Sequence, residues 1–253
     1  MPLNQENTKM SSGSKTFAII GKGFIYSQHA KAIAKIGGKI LDVVDESRGP
    51  EAWKEMVKKT KANWVVILSP NNLHFQMAKF SAEHGKMVLC EKPLALKSGQ
   101  AKILSRYPNI FTVYQLRYHP LVKKIKSKVK KDKNYQIEMN ISVHRDQDYW
   151  RSWKGRQDKS GGILFNLGIH YFDLLLYLFG EPTEILTKKL TSKTGEGKIS
   201  GKNYLCNWRI SAEASKENQH RLFKINGINY DFSSKENLHF YVYKDLLEGK
   251  GIT

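Results

Sequence analysis

Gly21 and Gly23 stand two apart directly after an apolar run, and a helix-like segment with Ala30, Ile33 and Ala34 follows them. In that setting the first glycine permits a tight turn and the second lets backbone approach a pyrophosphate. The N–H groups that open the helix then face the anion. Phe24 and Ile25 continue this candidate dinucleotide loop, and Tyr26 occupies the place of a third glycine. A Gly-x-Gly is also an ordinary strand-to-helix turn, so Asp45 carries weight. It closes the next apolar run about twenty residues on, where a carboxylate accepts hydrogen bonds from an adenosine ribose. An acid there disfavours a 2′-phosphate and points to NAD, with Arg48 nearby working against that preference. Ser69, Asn71 and His74 follow the third apolar run and Glu91-Lys92-Pro93 the fourth, both at the carboxyl edge where open α/β sheets bind ligands. Asn166, His170 and Asp173 are spaced to share one helix face, although a lone helix histidine is more often a core residue. His74, His84, His119 and His170 have no cysteine or second histidine at ligand spacing, so no metal site is expected.

The elements that must position these residues follow from the apolar pattern. Phe17 to Ile20, Leu41 to Val44, Trp64 to Leu68 and Met87 to Cys90 are short and without alternation, as strands buried on both faces are. Helix-like stretches lie between them, among them His74 to Glu83 with Gly85 as its C-cap, and the alternation implies a parallel, doubly wound sheet. After about residue 118 the pattern changes. Gln136 to Val143, Glu184 to Leu190, Tyr204 to Ala212, Arg221 to Ile225 and Ile228 to Phe232 read as strands of an open, mostly antiparallel sheet, with Asn226-Gly227 a hairpin turn. One conspicuous helix is expected over Gly162 to Phe179 and a short one over Leu238 to Leu247. The expected organisation is a disordered tail over 1–15, a dinucleotide-binding Rossmann domain over 16–117, and a substrate-binding and oligomerisation α+β domain over 118–253.

Composition narrows the setting. Cys90 and Cys206 fit neither a disulfide framework nor a redox motif, which implies a reducing, cytoplasmic compartment. Residues 1–15 lack an apolar leader core, and no run approaches the roughly 18 apolar residues of a membrane span, so neither secretion nor a membrane partner is expected. Forty-two Lys and Arg against 23 Asp and Glu give a net charge of +19. The densest stretch, Lys123 to Lys133, interleaves Leu121, Ile125 and Val129 at helical steps and reads as a solvated helix face. No nucleic acid partner is expected, whereas a phosphate-bearing substrate suits the charge.

Glu91-Lys92-Pro93 after a buried strand, together with the glycine-rich run from Gly161 to Asp173, resembles the Gfo/Idh/MocA oxidoreductases. Within that family the strings Gln115 to His119, Ser152-Trp153-Lys154-Gly155 and Asn166 to His170 are similar to the UDP-N-acetylglucosaminuronate 3-dehydrogenases. The resemblance implies a cis bond before Pro93, catalysis by Lys92 and His170, and NAD contacts from Gly21, Gly23, Phe24, Ile25, Asp45, Ser69, Asn71, His74, Glu91, Lys92 and Gln115. It implies substrate contacts from Lys92, Arg117, His119, Lys154, Asn166 and His170. The implied reaction is oxidation of a sugar C3 hydroxyl on a UDP-linked substrate by a homo-oligomer, a dimer or tetramer. Another sugar or cyclitol as substrate, or a degenerate NAD-binding protein without turnover, are the alternatives. Relatives usually have more than the 23 residues between Asp45 and Ser69, and commonly continue past Thr253. A trimmed helical layer and reduced stability, assembly or activity are expected from both departures.

Overall fold

The computed structural model describes residues 15–232 and 236–253, so most of the expected N-terminal tail lies outside it. The first part alternates strands and helices: β1 (Thr16–Ile20), α1 (Tyr26–Lys35), β2 (Lys39–Val44), α2 (Ala52–Lys59), β3 (Trp64–Ile67), α3 (His74–Glu83), β4 (Met87–Cys90), α4 (Ser98–Leu104) and β5 (Ile110–Thr112). All neighbouring strands are parallel, in the order β2-β1-β3-β4-β5. Reversal of the order beside β1 opens a crevice at the carboxyl ends of β1 and β3, the ligand position in doubly wound sheets. Phe17 and Ile19 pack on one face of this sheet while Ala18 and Ile20 pack on the other, which is why its strands carry no polar alternation. The short Asp45 to Ser69 segment still holds α2, with Trp53, Met56 and Val57 buried against the sheet.

The second part begins with α5 (Pro120–Lys128), β6 (Tyr135–Ser142), α6 (Gln147–Arg151), α7 (Gln157–Ser160) and α8 (Ile169–Phe179). It continues through β7 (Pro182–Leu190), β8 (Thr194–Gly201), β9 (Tyr204–Ser211), β10 (His220–Ile225), β11 (Ile228–Asn229) and α9 (His239–Leu247). The sheet order is β11-β10-β6-β9-β8-β7, and only β6 and β9 run parallel. Leu174, Leu175 and Leu178 of α8 pack on its inner face with Met139, Ile141, Trp208 and Phe223. The stretch Gln157–Phe179 is long and apolar enough to cross a membrane by composition, an exception to the expectation of no span-like run, and it serves here as the core helix.

Three further expectations need correction. The helix expected over Gly162 to Phe179 forms from residue 163 but is not uniform: Gly161 and Gly162 have φ of 79° and 82°, and a π-helical turn covers Leu164–Gly168 before the α-helical Ile169–Phe179. The strand expected over Ile228 to Phe232 is short: β11 ends at Asn229, with one more backbone hydrogen bond from Tyr230 N–H to the Phe223 carbonyl at 2.9 Å, although the turn before it forms with positive φ at both Asn226 and Gly227. Residues 118–253 do not pack as one unit. Val242, Tyr243 and Leu246 of α9 lie in the core of the first sheet with Phe17 and Ile19, and the Ile252 carbonyl accepts the Thr112 N–H at 2.8 Å.

Candidate active site

The dinucleotide loop follows directly from the close approach of β1 to β3. Gly21 has φ of 102°, and a Cβ there would meet the Leu68 backbone at 2.8 Å, so only glycine fits. At Gly23 a Cβ would meet nothing within 4 Å, which leaves the space a phosphate needs. The first turn of α1 has no side-chain cap, and although the Tyr26 and Gln28 N–H groups donate to the Gly23 and Ile25 carbonyls, the positive end of the helix still faces the loop, as an anion requires. Tyr26 needs no positive φ and packs on the first-sheet core, which explains how it replaces a glycine. Asp45 accepts the Ser47 N–H at 3.1 Å and the Ser47 hydroxyl at 2.5 Å, both on Oδ1, leaving Oδ2 for a ribose. Those hydrogen bonds hold its carboxyl below the usual range. Farther along the same edge, the buried Ser69 hydroxyl and Gln115 Oε1 have no partner among the described residues. These features fit a bound NAD.

Lys92 enters the cleft from the end of β4, where its bond to Pro93 is cis. Its Nζ donates to the Asn166 carbonyl at 3.0 Å, from inside the π-helical turn that immediately precedes α8. His170 follows in the first turn of that helix, with Nδ1 buried and unpartnered. Burial and then the charge of Lys92 push His170 down to about 3. Burial lowers Lys92 as well, opposed by Glu91 and assisted by Lys154 and Arg145. Two nitrogen bases from distant segments therefore meet in one desolvated spot, and together they resist carrying two protons.

Several expected ligand contacts are spent on the frame instead. The ring nitrogens of His74 lie 2.8 Å from the Ser69 carbonyl oxygen and 2.7 Å from that of Pro93, so one buried imidazole ties the two flanking loops together. The Asn71 side-chain amide donates to Ser160 O at 2.8 Å and to Asn166 Oδ1 at 3.2 Å, bridging the two parts of the chain. Asn166 Nδ2 donates to Tyr149 and to Lys154 O, so its amide is fully used. Arg117 forms a forked pair with Asp173, with Nε 2.9 Å from Oδ2 and Nη2 2.5 Å from Oδ1. His119 caps α5 by accepting the Leu121 N–H at 3.2 Å. The carboxylate of Glu91 is taken up by His29, at 2.9 Å, and His239, at 3.4 Å. Of the expected substrate residues, Lys92, His170 and Lys154 keep free chemistry.

Two groups escape sequence reasoning. Arg145 lies over the Tyr149 ring, leaves its Nε buried without a hydrogen-bond partner among the described residues, and bears on both Lys92 and Lys154 as a positive charge. Nothing in the sequence marks it, because its cationic neighbours come from other elements. The other group, His29, Glu91 and His239, has ligand atoms within 4.8 Å of one another. The 2.9 Å contact from His29 Nε2 marks it as a hydrogen-bonded network. Its sequence signal was a histidine on the buried face of α1, four residues before Ile33.

A family profile described as "Oxidoreductase family, NAD-binding Rossmann fold" matches residues 15–108, and the Gfo/Idh/MocA C-terminal domain profile matches residues 133–203. The chain belongs to the Gfo/Idh/MocA oxidoreductases. Among Gfo/Idh/MocA structures, the Thermus thermophilus WlbA (WbpB) dehydrogenase in complex with NAD and α-ketoglutarate superposes with a TM-score of 0.85 at 27% identity, over 94% of this chain and 89% of that one. The same enzyme with NAD and UDP-GlcNAcA gives 0.80 at 25% identity, over 93% and 89%. The glucose-6-phosphate 3-dehydrogenase of Bacillus subtilis is 28% identical over 193 residues, 71% of this chain and 51% of its own. The myo-inositol 2-dehydrogenase of Thermotoga maritima is 27% identical over 66% of this chain and 55% of its own. This chain thus spans about half the length of the curated relatives it matches.

Proposed function

We propose that this chain is an NAD-dependent dehydrogenase that oxidises a ring hydroxyl of an anionic sugar, with the C3 hydroxyl of UDP-N-acetylglucosaminuronate as its substrate. The observation that carries the reading is the meeting of Lys92 and His170 beside the dinucleotide crevice, with Lys154 and Arg145 adding positive charge. The likeness to a WlbA enzyme crystallised with UDP-GlcNAcA supports the sugar acid. NAD, when bound, accepts the hydride from the carbinol carbon. The residues of the chain manage the proton and the charge. Lys92 lies where its ammonium stabilises a developing alkoxide, typically the largest electrostatic contribution in such a step. The charge of Lys92 is one of three causes that hold His170 down, after burial and ahead of His239, and the negative charge that develops on the oxygen offsets it as the hydroxyl proton passes to the imidazole in the same step. The product is a 3-keto sugar, and an anionic substrate eases the same step.

Glucose-6-phosphate is a second substrate reading, favoured by the Bacillus relative and served by the same cations. Exposed Ile185, Leu186 and Leu190 on edge strand β7 support a homo-oligomer. The deciding experiment mixes purified chain and NAD with UDP-N-acetylglucosaminuronate, glucose-6-phosphate or myo-inositol and follows nicotinamide absorbance. Reduction with the first substrate at least tenfold more efficient than with the others is expected. Reduction with none of them would leave an NAD-binding protein without this activity.

A further inference from the structure

We propose that His239, from the C-terminal helix α9, is a positioning residue: with His29 it holds the Glu91 carboxylate as the fixed counter-charge of Lys92. The proposal rests on the reading of Lys92 above, but its decisive test does not need turnover.

The geometry starts at Glu91, a carboxylate 7% exposed in the same β4 edge turn as Lys92. Its Oε2 accepts the Lys92 main-chain N–H at 3.3 Å, so a shift of this carboxylate is passed to the residue beside it. Oε1 faces two imidazoles, with His29 Nε2 at 2.9 Å and His239 Nε2 at 3.4 Å. Each ring is braced from behind. His29 Nδ1 lies 2.8 Å from the hydroxyl of Tyr243, a phenol that burial keeps protonated. The phenol donates to Nδ1, which leaves the Nε2 proton for Glu91. His239 Nδ1 lies 3.1 Å from Asn237 Oδ1, and the amide of Asn237 is fixed because its Nδ2 donates to the Gln28 carbonyl at 2.9 Å. His239 therefore donates at Nδ1 and meets the carboxylate through Nε2 at 3.4 Å, an ion-pair contact rather than a directed hydrogen bond, and one that holds the carboxylate when both ring nitrogens carry protons.

Burial by itself would raise Glu91. The contacts of His239 and His29, the second a hydrogen bond, together with the charge of Lys92 hold it well below the carboxylate range. An ionised Glu91 in turn supports the ammonium of Lys92 against burial, Lys154 and Arg145. His29 comes from α1, whereas His239 and Tyr243 come from α9, which docks on the first sheet. The last helix of the chain thus reaches the reacting amine through a single carboxylate.

The test is competitive acetylation of the whole chain with acetic anhydride, with the Lys92 peptide quantified by mass spectrometry at neutral pH. His239→Leu removes the second imidazole, weakens the counter-charge, and is expected to raise labelling of Lys92 roughly tenfold, the factor of one pKa unit. His239→Gln, whose amide N–H reaches the same oxygen, is expected to restore wild-type labelling. In turnover assays, His239→Leu is expected to lower kcat about tenfold with KM and NAD affinity within about twofold. Unchanged labelling in folded His239→Leu, or a change that His239→Gln fails to reverse, overturns the proposal. Should His239→Leu not fold, His239→Asn, too short to reach Glu91, takes its place with the same outcomes. An inactive wild type in which the labelling contrast holds refutes the dehydrogenase reading and leaves this network standing.

Discussion

His170 and Asp173 sit three residues apart on one helix, and their spacing lets both share the helix face that the sequence marks for the site. Their surroundings are opposite. Asp173 is met by the forked guanidinium of Arg117, so every strong interaction open to it is made within the chain. His170 is partly buried, its Nδ1 is wholly so and has no partner among the described residues, and the largest charge acting on it is the like charge of Lys92. A buried polar group without a partner costs stability, and such atoms persist where a ligand completes them. Satisfied and unsatisfied groups therefore separate the frame of the site from its chemistry better than residue type does.

The largest expected effect lies on the unsatisfied side. Lys92→Ala or His170→Ala is expected to lower turnover at least about a hundredfold, with NAD affinity within about threefold by fluorescence titration. Equal turnover in both variants would erase the distinction between the two residues and the frame. On the satisfied side, Asp173→Ala strands a half-buried guanidinium and is expected to cost about 2–3 kcal/mol in urea unfolding while NAD still binds. Arg117→Ala in the same chain should recover part of that loss.

A pH experiment sharpens the contrast. With His170 lowered from 6.5 to about 3 in the fold, the unfolded chain binds the extra proton, so the stability this group contributes is present above about pH 6.5 and lost as pH falls toward 3. Between pH 7 and pH 5 the loss is about 2 kcal/mol for this one group. His170→Gln is expected to show a shallower decline in urea midpoint over that interval. His29 and His74 are lowered by burial too, and their contribution to the decline remains in that variant. The smallest expected effect belongs to the outer cations: Arg145→Gln should raise KM for an anionic sugar about tenfold and leave NAD binding unchanged. A neutral sugar as competing substrate should show no such change.

Much of this was legible in the sequence, and what escaped it has physical causes. Four of the five parallel strands, the glycine turn and the Glu91-Lys92-Pro93 edge are local patterns and fold as read, whereas the three-residue β5 is too short to stand out in the sequence. Strand β8 was missed because Thr194–Gly201 carries Gly195, Gly197 and Gly201 and little apolar character. It forms because β7 and β9 pair with it on both sides, and the indole of Trp208 packs where a Cβ at Gly195 would stand. The π-helical turn over Leu164–Gly168, just before α8, is a change of helical pitch that periodicity does not register. Arg117, His119, Asn166 and His74 have the right residue types for ligand contacts. Their partners, which lie up to 95 residues away, engage them within the fold, and only folding reveals who is paired.

The most direct measurement uses UDP-N-acetylglucosaminuronate carrying deuterium at C3, incubated with the purified chain and NAD, with the nicotinamide product weighed by mass spectrometry. One deuterium in the reduced nicotinamide from the wild-type chain, and none from Lys92→Ala, is the result expected if Lys92 and His170 serve hydride removal at that carbon. Unlabelled product from the wild type, or equal labelling by Lys92→Ala, would contradict it.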